Sequence, residues 1–312
     1  MPNVSVIIPN YNHALYLQER LDSVFNQTYQ DFEVIILDDC STDNSREIIE
    51  KYANNPKTSH IIFNDVNSGS TFKQWEKGIT LAKGNWIWIA ESDDYCEPTF
   101  LETLLPPIIN DPKITFSYCQ SYVLYPEKKQ YLRSQFCSES EIIEGDAFLN
   151  NELIPCNNVY NASMVIFRKS NFYKISKEYT KYIFCGDWVL WAELCKLGDV
   201  RKNIRPLNYF RKEGNNDVTS KTLKSGLNYI EEANALYYFK SNLNANKKNT
   251  ITALKKLYFK FAIEKIYYKE GVQKKITANF VSLLGSKRIA IWNLKIFKHK
   301  IALVIFNKLK EF

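Results

Sequence analysis

The chain has 312 residues, 45% of them hydrophobic, and a net charge of +7, which allows one large domain with an appendage around a sizeable core. No apolar run reaches the about 18 residues that span a bilayer, and Met-Pro-Asn-Val-Ser-Val at the start lacks the features of a signal peptide, so the cytoplasm is expected. Seven cysteines without a Cys-x-x-Cys pair, and only three histidines, set aside a disulfide framework, a zinc site and a histidine-held metal.

Residues 4–9, Val-Ser-Val-Ile-Ile-Pro, read as a buried strand, and the polar loop 10–13 leads to a helix carrying Leu15, Leu17, Leu21, Val24 and Phe25. The pattern repeats in strand 32–37, the polar stretch Asp38-Asp-Cys-Ser-Thr-Asp-Asn-Ser45, and a helix around Ile48, Ile49 and Tyr52. A third strand, 60–63, runs into 64–69 and a helix through Phe72, Trp75, Ile79 and Leu81. Gly84 is suited to ending that helix, and Trp86, Ile87, Trp88, Ile89 and Ala90 form a fourth strand that delivers Glu91, Asp93 and Asp94 together. This β-α alternation predicts a parallel sheet covered by helices on both faces.

In such a sheet the carboxyl ends of the strands share one edge, where ligands bind. Tyr11, Asp38, Asp39, Asn67 and the Glu91, Asp93 and Asp94 acids therefore line one rim. Helix capping is the plain alternative for Asp93 or Asp94 and for Ser41, Asp43 or Asn44, but it leaves the adjacent Asp38 and Asp39 unexplained. A Gly-x-Gly-x-x-Gly turn and a Gly-x-x-x-x-Gly-Lys loop are both absent, so a divalent cation held by carboxylates is the remaining way to bind phosphate.

With residues 4–12, 38–45, 67–69 (Asn-Ser-Gly) and 91–94 (Glu-Ser-Asp-Asp) in this order, the chain resembles the inverting family 2 of nucleotide-sugar glycosyltransferases, which have the GT-A fold. The resemblance implies an α/β, Rossmann-like, mostly parallel sheet. It implies a donor site of Pro9, Tyr11, Asn12, Asp39, Asn67, Gly69 and Asp93, with Pro9 and Tyr11 packing on the nucleotide base and Asp39 hydrogen-bonding it. Asp93 and Asp94 match the pair that holds ribose and a Mn or Mg ion on the diphosphate. Glu91 stands where many relatives have an Asp, which keeps the charge at that metal position.

Further along, 114–123 and 163–167 read as strands, with a polar loop at 156–161 that either faces an acceptor or supplies turn-forming asparagines. Asp187 opens a helix over 188–197, where it either caps the helix or, as the resemblance implies, acts as the catalytic base. The segment 207–213 resembles the closing part of these domains, with Glu213 where relatives often have a histidine that touches the metal or diphosphate; either this loop has no such role here or Arg211 and Lys212 take it over as diphosphate contacts.

The catalytic domain is expected over 1–219, with a nucleotide-sugar half at 1–100 and an acceptor half at 101–219, followed by a basic, mainly helical region at 220–312. In that region Leu227, Ile230, Ala233 and Tyr237 suggest one helix and Leu254, Leu257, Tyr258 and Phe261 another. From residue 251 onward 14 lysines and arginines face 3 glutamates, a balance of +11 that leaves −4 for the first 250 residues. A solvated face is the ordinary explanation of such lysines; the functional one is attachment to an anionic membrane surface through Trp292, Phe297 and Phe306. No nucleic-acid-binding motif accompanies the charge.

The expected function is metal-dependent, inverting transfer from a nucleotide-sugar donor, UDP-sugar foremost, to a hydroxyl of a growing, lipid-linked bacterial surface glycan. The expected place is the inner face of the cell membrane. A metal-dependent phosphohydrolase or nucleotidyltransferase and a non-catalytic membrane-surface scaffold are the alternatives.

Overall fold

The computed structural model describes residues 2–125, 130–134, 139–212 and 218–296. Two compact units divide the chain, Met1–Gly214 and Asn215–Phe312.

The first unit is built on one mixed sheet. Its strands are β1 (Val4–Asn10), β2 (Phe32–Asp38), β3 (Thr58–Phe63), β4 (Trp86–Ile89), β5 (Tyr95–Cys96), β6 (Ile114–Tyr125), β7 (Gln130–Arg133), β8 (Glu141–Ile143), β9 (Val165–Arg168) and β10 (Asp199–Arg211). Their order is β3-β2-β1-β4-β9-β6-β10-β5, with β7 on β6 and β8 on β10. The first four strands are parallel, as expected, and every residue of β1, β2 and β4 is buried, which is why these runs are mostly apolar, with the buried Ser5 hydroxyl donating to Glu33 (2.6 Å). Antiparallel β9 then joins β4 to β6, so the second half is mixed.

The helices of the first half are α1 (Ala14–Phe25), α2 (Ser45–Glu50), α3 (Thr71–Leu81) and α4 (Phe100–Leu104). Because β2 and β3 lie on one side of β1 and β4 on the other, the strand order reverses between β1 and β4, and a crevice opens at their carboxyl ends. Pro9 is compatible with this central strand because β1 pairs with β4 only through Ile7. Beyond that point the missing N–H of Pro9 has no β4 partner to lose.

Gly84 does not end a helix. It sits where the chain crosses β1, and a Cβ there would lie 2.6 Å from the Ser5 nitrogen and the Val4 carbonyl carbon. Close approach, not turn geometry, is the reason for glycine at this position.

The second unit is helical: Val218–Ser225, Leu227–Asn242, Lys247–Glu264, a 3-10 turn at Lys265–Tyr267, Glu270–Leu284, and a last helix over 286–296. The stripe Leu254, Leu257, Tyr258 and Phe261 is buried as expected. On the preceding helix only Ala233 of the expected four is buried, because Tyr229, Leu236 and Phe239 take the core face. Trp292 is 6% exposed and packs its ring 5.8 Å from Tyr258, so it is a core residue of this unit and not a membrane-inserting one. Phe297, Phe306 and Glu213 lie outside the described residues. No described helix is long and apolar enough to cross a membrane.

Candidate active site

The donor side of the crevice begins where β1 and β2 end. Asn10 Nδ2 donates to Asp38 Oδ1 (2.7 Å), and Ser41 donates to the same carboxylate through its hydroxyl (2.6 Å) and its N–H (2.9 Å). Asp39 is more heavily engaged. It accepts from Asn64 Nδ2 (2.7 Å), Ser68 N (2.9 Å), Ser68 Oγ (2.7 Å) and Gln74 Nε2 (2.8 Å), while Asn67 Nδ2 donates to its carbonyl (3.1 Å).

The adjacent acids that capping left unexplained are thus loop fasteners. Asp38 shapes the 10–12 loop, and Asp39 ties 64–74 to the sheet edge. Tyr11, 45% exposed, stands free at the rim, and Asn12 beside it takes a left-handed φ of 56° while its Oδ1 accepts from Thr42 N (2.7 Å). Gly69, at φ 71°, turns the 67–70 loop back toward α3. Pro9 is buried in β1, one residue inside the rim.

The acidic turn leaves β4 under close restraint, and none of its acids caps α4, whose N-cap is Thr99. Glu91 accepts from Trp75 Nε1 (2.8 Å) at its side chain and from Arg20 Nε (2.8 Å) at its carbonyl, and its N–H donates to Ser163 Oγ (3.1 Å). Asp94 is almost wholly buried, bonded to Asn161 Nδ2 and to Arg211 N (3.1 Å), with Arg20 Nη2 3.9 Å away. Burial first, and the Asp93 charge second, push Glu91 up to about 8 and Asp94 up to about 7, against the pull of Arg20. The half-buried Asp93 carboxylate has no hydrogen bond or ion pair among the described residues; only its carbonyl is held, by Arg211 Nη1 (2.8 Å).

Arg211 is a brace. Its guanidinium lies 4.7 Å from the Tyr16 ring centre and 4.8 Å from that of Tyr95, and it pairs with Glu19 behind the acidic turn. Lys212 donates its N–H to Leu124 O (3.0 Å) and carries its ammonium over Phe210. No group of three or more His, Cys, Asp or Glu among the described residues forms a complete metal cage. A free Asp93 beside a raised Asp94 does fit a hard cation that takes its remaining oxygens from a diphosphate, as Mg²⁺ does with one or two carboxylates.

Asp187 lies on the helix Gly186–Cys195, whose N-cap is Cys185, so capping does not account for it. Its Oδ1 accepts from the adjacent Trp188 N (2.7 Å), and burial pushes its carboxyl up to about 7. Gly186 lets this helix start against α3, since a Cβ there would lie 2.5 Å from the Phe72 ring. Phe72 packs edge-on to Trp75 (4.9 Å), and Trp75 holds Glu91, so one chain of contacts links the Asp187 helix to the acidic turn.

In the 156–161 loop, Asn157 is a turn former at φ 44°, while Asn161 joins Asp94 to Asn208, whose Nδ2 reaches Asn161 Oδ1 (3.3 Å) and Ser121 Oγ (3.0 Å).

Arg20 is the site residue that sequence reasoning passed over, and Asn161, placed by it in an acceptor or turn loop, instead holds Asp94. Arg20 carried a signal: it occupies the apolar stripe of α1 with Leu17, Leu21 and Val24, where a cation needs a buried partner.

A sequence profile described as "Glycosyl transferase family 2" matches residues 5–175. The chain is 38% identical over 128 residues to the chondroitin synthase of Pasteurella multocida, spanning 41% of this chain but only 13% of that protein. It is 32% identical over 155 residues to the putative teichuronic acid biosynthesis glycosyltransferase TuaG of Bacillus subtilis, which is 50% of this chain and 60% of that one. Among solved structures, Staphylococcus aureus TarS 1-349 in complex with UDP-GlcNAc superposes with a TM-score of 0.69 at 18% identity, covering 91% of this chain and 82% of that one. The shared architecture is the GT-A fold expected from the motifs.

Proposed function

The chain belongs to glycosyl transferase family 2 and is a glycosyltransferase, and from that premise we propose that it transfers a sugar, with inversion, from a nucleoside-diphosphate donor to a hydroxyl of a growing bacterial surface glycan. The donor lies in the crevice between β1 and β4, with its base beside Tyr11 and its diphosphate at Asp93 and Asp94. UDP is the foremost nucleotide of this reading, since TarS was solved with UDP-GlcNAc. Bound there, a Mn or Mg ion would neutralise charge on the departing diphosphate. The acceptor is lipid-linked, and the basic second unit meets an anionic membrane surface.

One observation carries the chemistry: Asp187, raised to about 7 by burial, stands on a separate element tied to the acidic turn through Phe72 and Trp75. A carboxylate with that affinity takes the proton of the acceptor hydroxyl as its oxygen bonds to the anomeric carbon, while the bond to the diphosphate breaks and its electron pair leaves with the nucleotide. Attack opposite the leaving group inverts the sugar carbon. Family membership displaces the phosphohydrolase, nucleotidyltransferase and scaffold readings.

Melting curves with UDP, GDP, dTDP and CMP, each with Mn²⁺, Mg²⁺ or EDTA, test the donor site. One nucleoside diphosphate with metal, at about 100 times its Kd, should stabilise by about 2.7 kcal/mol. The effect should vanish with EDTA and in Asp93→Ala. A folded protein that responds to none of them contradicts the reading.

A further inference from the structure

At one corner of the second unit three large apolar side chains stand in solvent: Ile263 is 67% exposed, Ile266 74% and Tyr267 80%. Ile263 lies at the end of the helix Lys247–Glu264, and Ile266 and Tyr267 lie on the 3-10 turn that follows, all outside the core stripe of Leu254, Leu257, Tyr258 and Phe261. Back along the helix is the exposed Lys256, and the exposed Lys265 and Lys269 flank the corner, while Lys260 carries its ammonium over the Tyr229 ring.

The corner is built, not frayed. Tyr268 turns inward, donating its hydroxyl to Leu223 O (2.9 Å) with its ring edge-on to Tyr229 at 6.1 Å. Gln273 Nε2 donates to the carbonyls of Lys265 (2.9 Å) and Tyr268 (2.8 Å) and pins the turn from below. Of two neighbouring tyrosines, one anchors the turn and the other is presented. A merely solvated face needs neither the exposed isoleucines nor the fastening, and a clustered apolar patch marks a contact surface.

We propose that this corner, residues 263–267, is where the chain docks on an anionic lipid bilayer, with Ile263, Ile266 and Tyr267 entering the headgroup layer and the lysines lying over the phosphates. The proposal rests on the membrane-surface reading above and names the element that serves it in place of Trp292. Charge selects the occupant. Seven lysines and two glutamates lie between Lys255 and Lys275, a balance that attracts anionic headgroups and repels a second copy of the same corner.

Vesicle co-sedimentation of the full chain tests it. Wild type should bind vesicles containing phosphatidylglycerol, less so as salt is raised, and should ignore pure phosphatidylcholine. Ile266→Asp with Tyr267→Asp should weaken binding at least about tenfold. Lys265→Gln with Lys269→Gln should weaken it about 25-fold, at about fivefold per lysine. Both variants alter exposed side chains, so unchanged melting and an unchanged nucleotide response should accompany the loss.

Wild-type binding that survives in both variants overturns the corner while leaving a membrane contact elsewhere. Absence of wild-type binding overturns both the corner and the membrane reading. A variant that changes the molecular mass in solution assigns the patch to a second copy and overturns the bilayer. A missing nucleotide response beside intact vesicle binding would instead count against the donor site.

Discussion

Burial raises the carboxyl of Asp187, and only backbone hydrogen bonds oppose it. On the proposal that Asp187 is the general base, transfer should rise with pH through about 7, because a carboxyl takes up a proton only after losing its own. Asp187→Asn should lower kcat by about 10²–10⁴-fold and erase that limb of the pH profile. Its nucleotide-induced stabilisation should persist, which separates a lost base from a lost donor site. The acids themselves were legible, since three carboxylates at the end of an apolar strand call for an explanation wherever they occur. Their partners were less so. Arg20 interrupts a helical stripe and could have been found, whereas Asn161 reaches Asp94 from 67 residues away and no local pattern encodes that contact.

At the level of elements, the parallel half was readable because β1, β2 and β4 are buried on both faces and so spell runs rich in β-branched and aromatic residues, broken only by polar residues such as Ser5 and Glu33, which bond each other. Strand direction has no such signature, and the antiparallel insertion of β9 between β4 and β6 follows from tertiary pairing alone. The crossing of the 82–85 segment over β1 was equally hidden, since a glycine needed for close approach looks the same in sequence as one needed for a turn. Gly84→Ala should destabilise the fold by about 1–3 kcal/mol, because the obstructing atoms are backbone and the strand cannot yield without losing its register. The urea midpoint should fall with an unchanged slope. A neutral outcome would mean that the 82–85 segment can lift off β1 freely.

For the molecule as a whole, Glu91, Asp94 and Asp187 share one thermodynamic consequence. Each has a folded-state pKa raised to about 7 or 8, above its unfolded value, so between about pH 4 and pH 8 the native state holds protons that the unfolded chain has released. Stability contributed by these groups is therefore lost as pH rises through that window. The melting temperature should fall from pH 5 to pH 8, and Asp187→Asn should flatten part of the slope. At this scale the basic region was visible as a charge imbalance, but its anatomy was not. Trp292 reads as an interfacial aromatic until the fold encloses it with Tyr258, because one helical face cannot announce which neighbour will cover it.

The saturated carboxylate of Asp39 bears on how such a site could be recombined. Asn64, Ser68 and Gln74 all fasten to it, so the stretch 64–74 behaves as a cassette whose side chains converge on one carboxylate, with Asn64 N also bonded to Asp38 O. Exchanging those residues one at a time strips clips and should loosen the whole segment, whereas transplanting the stretch intact from a relative of different donor preference should carry that preference with it. Donor profiling of the two kinds of chimera would distinguish a modular pocket from one dispersed through the domain.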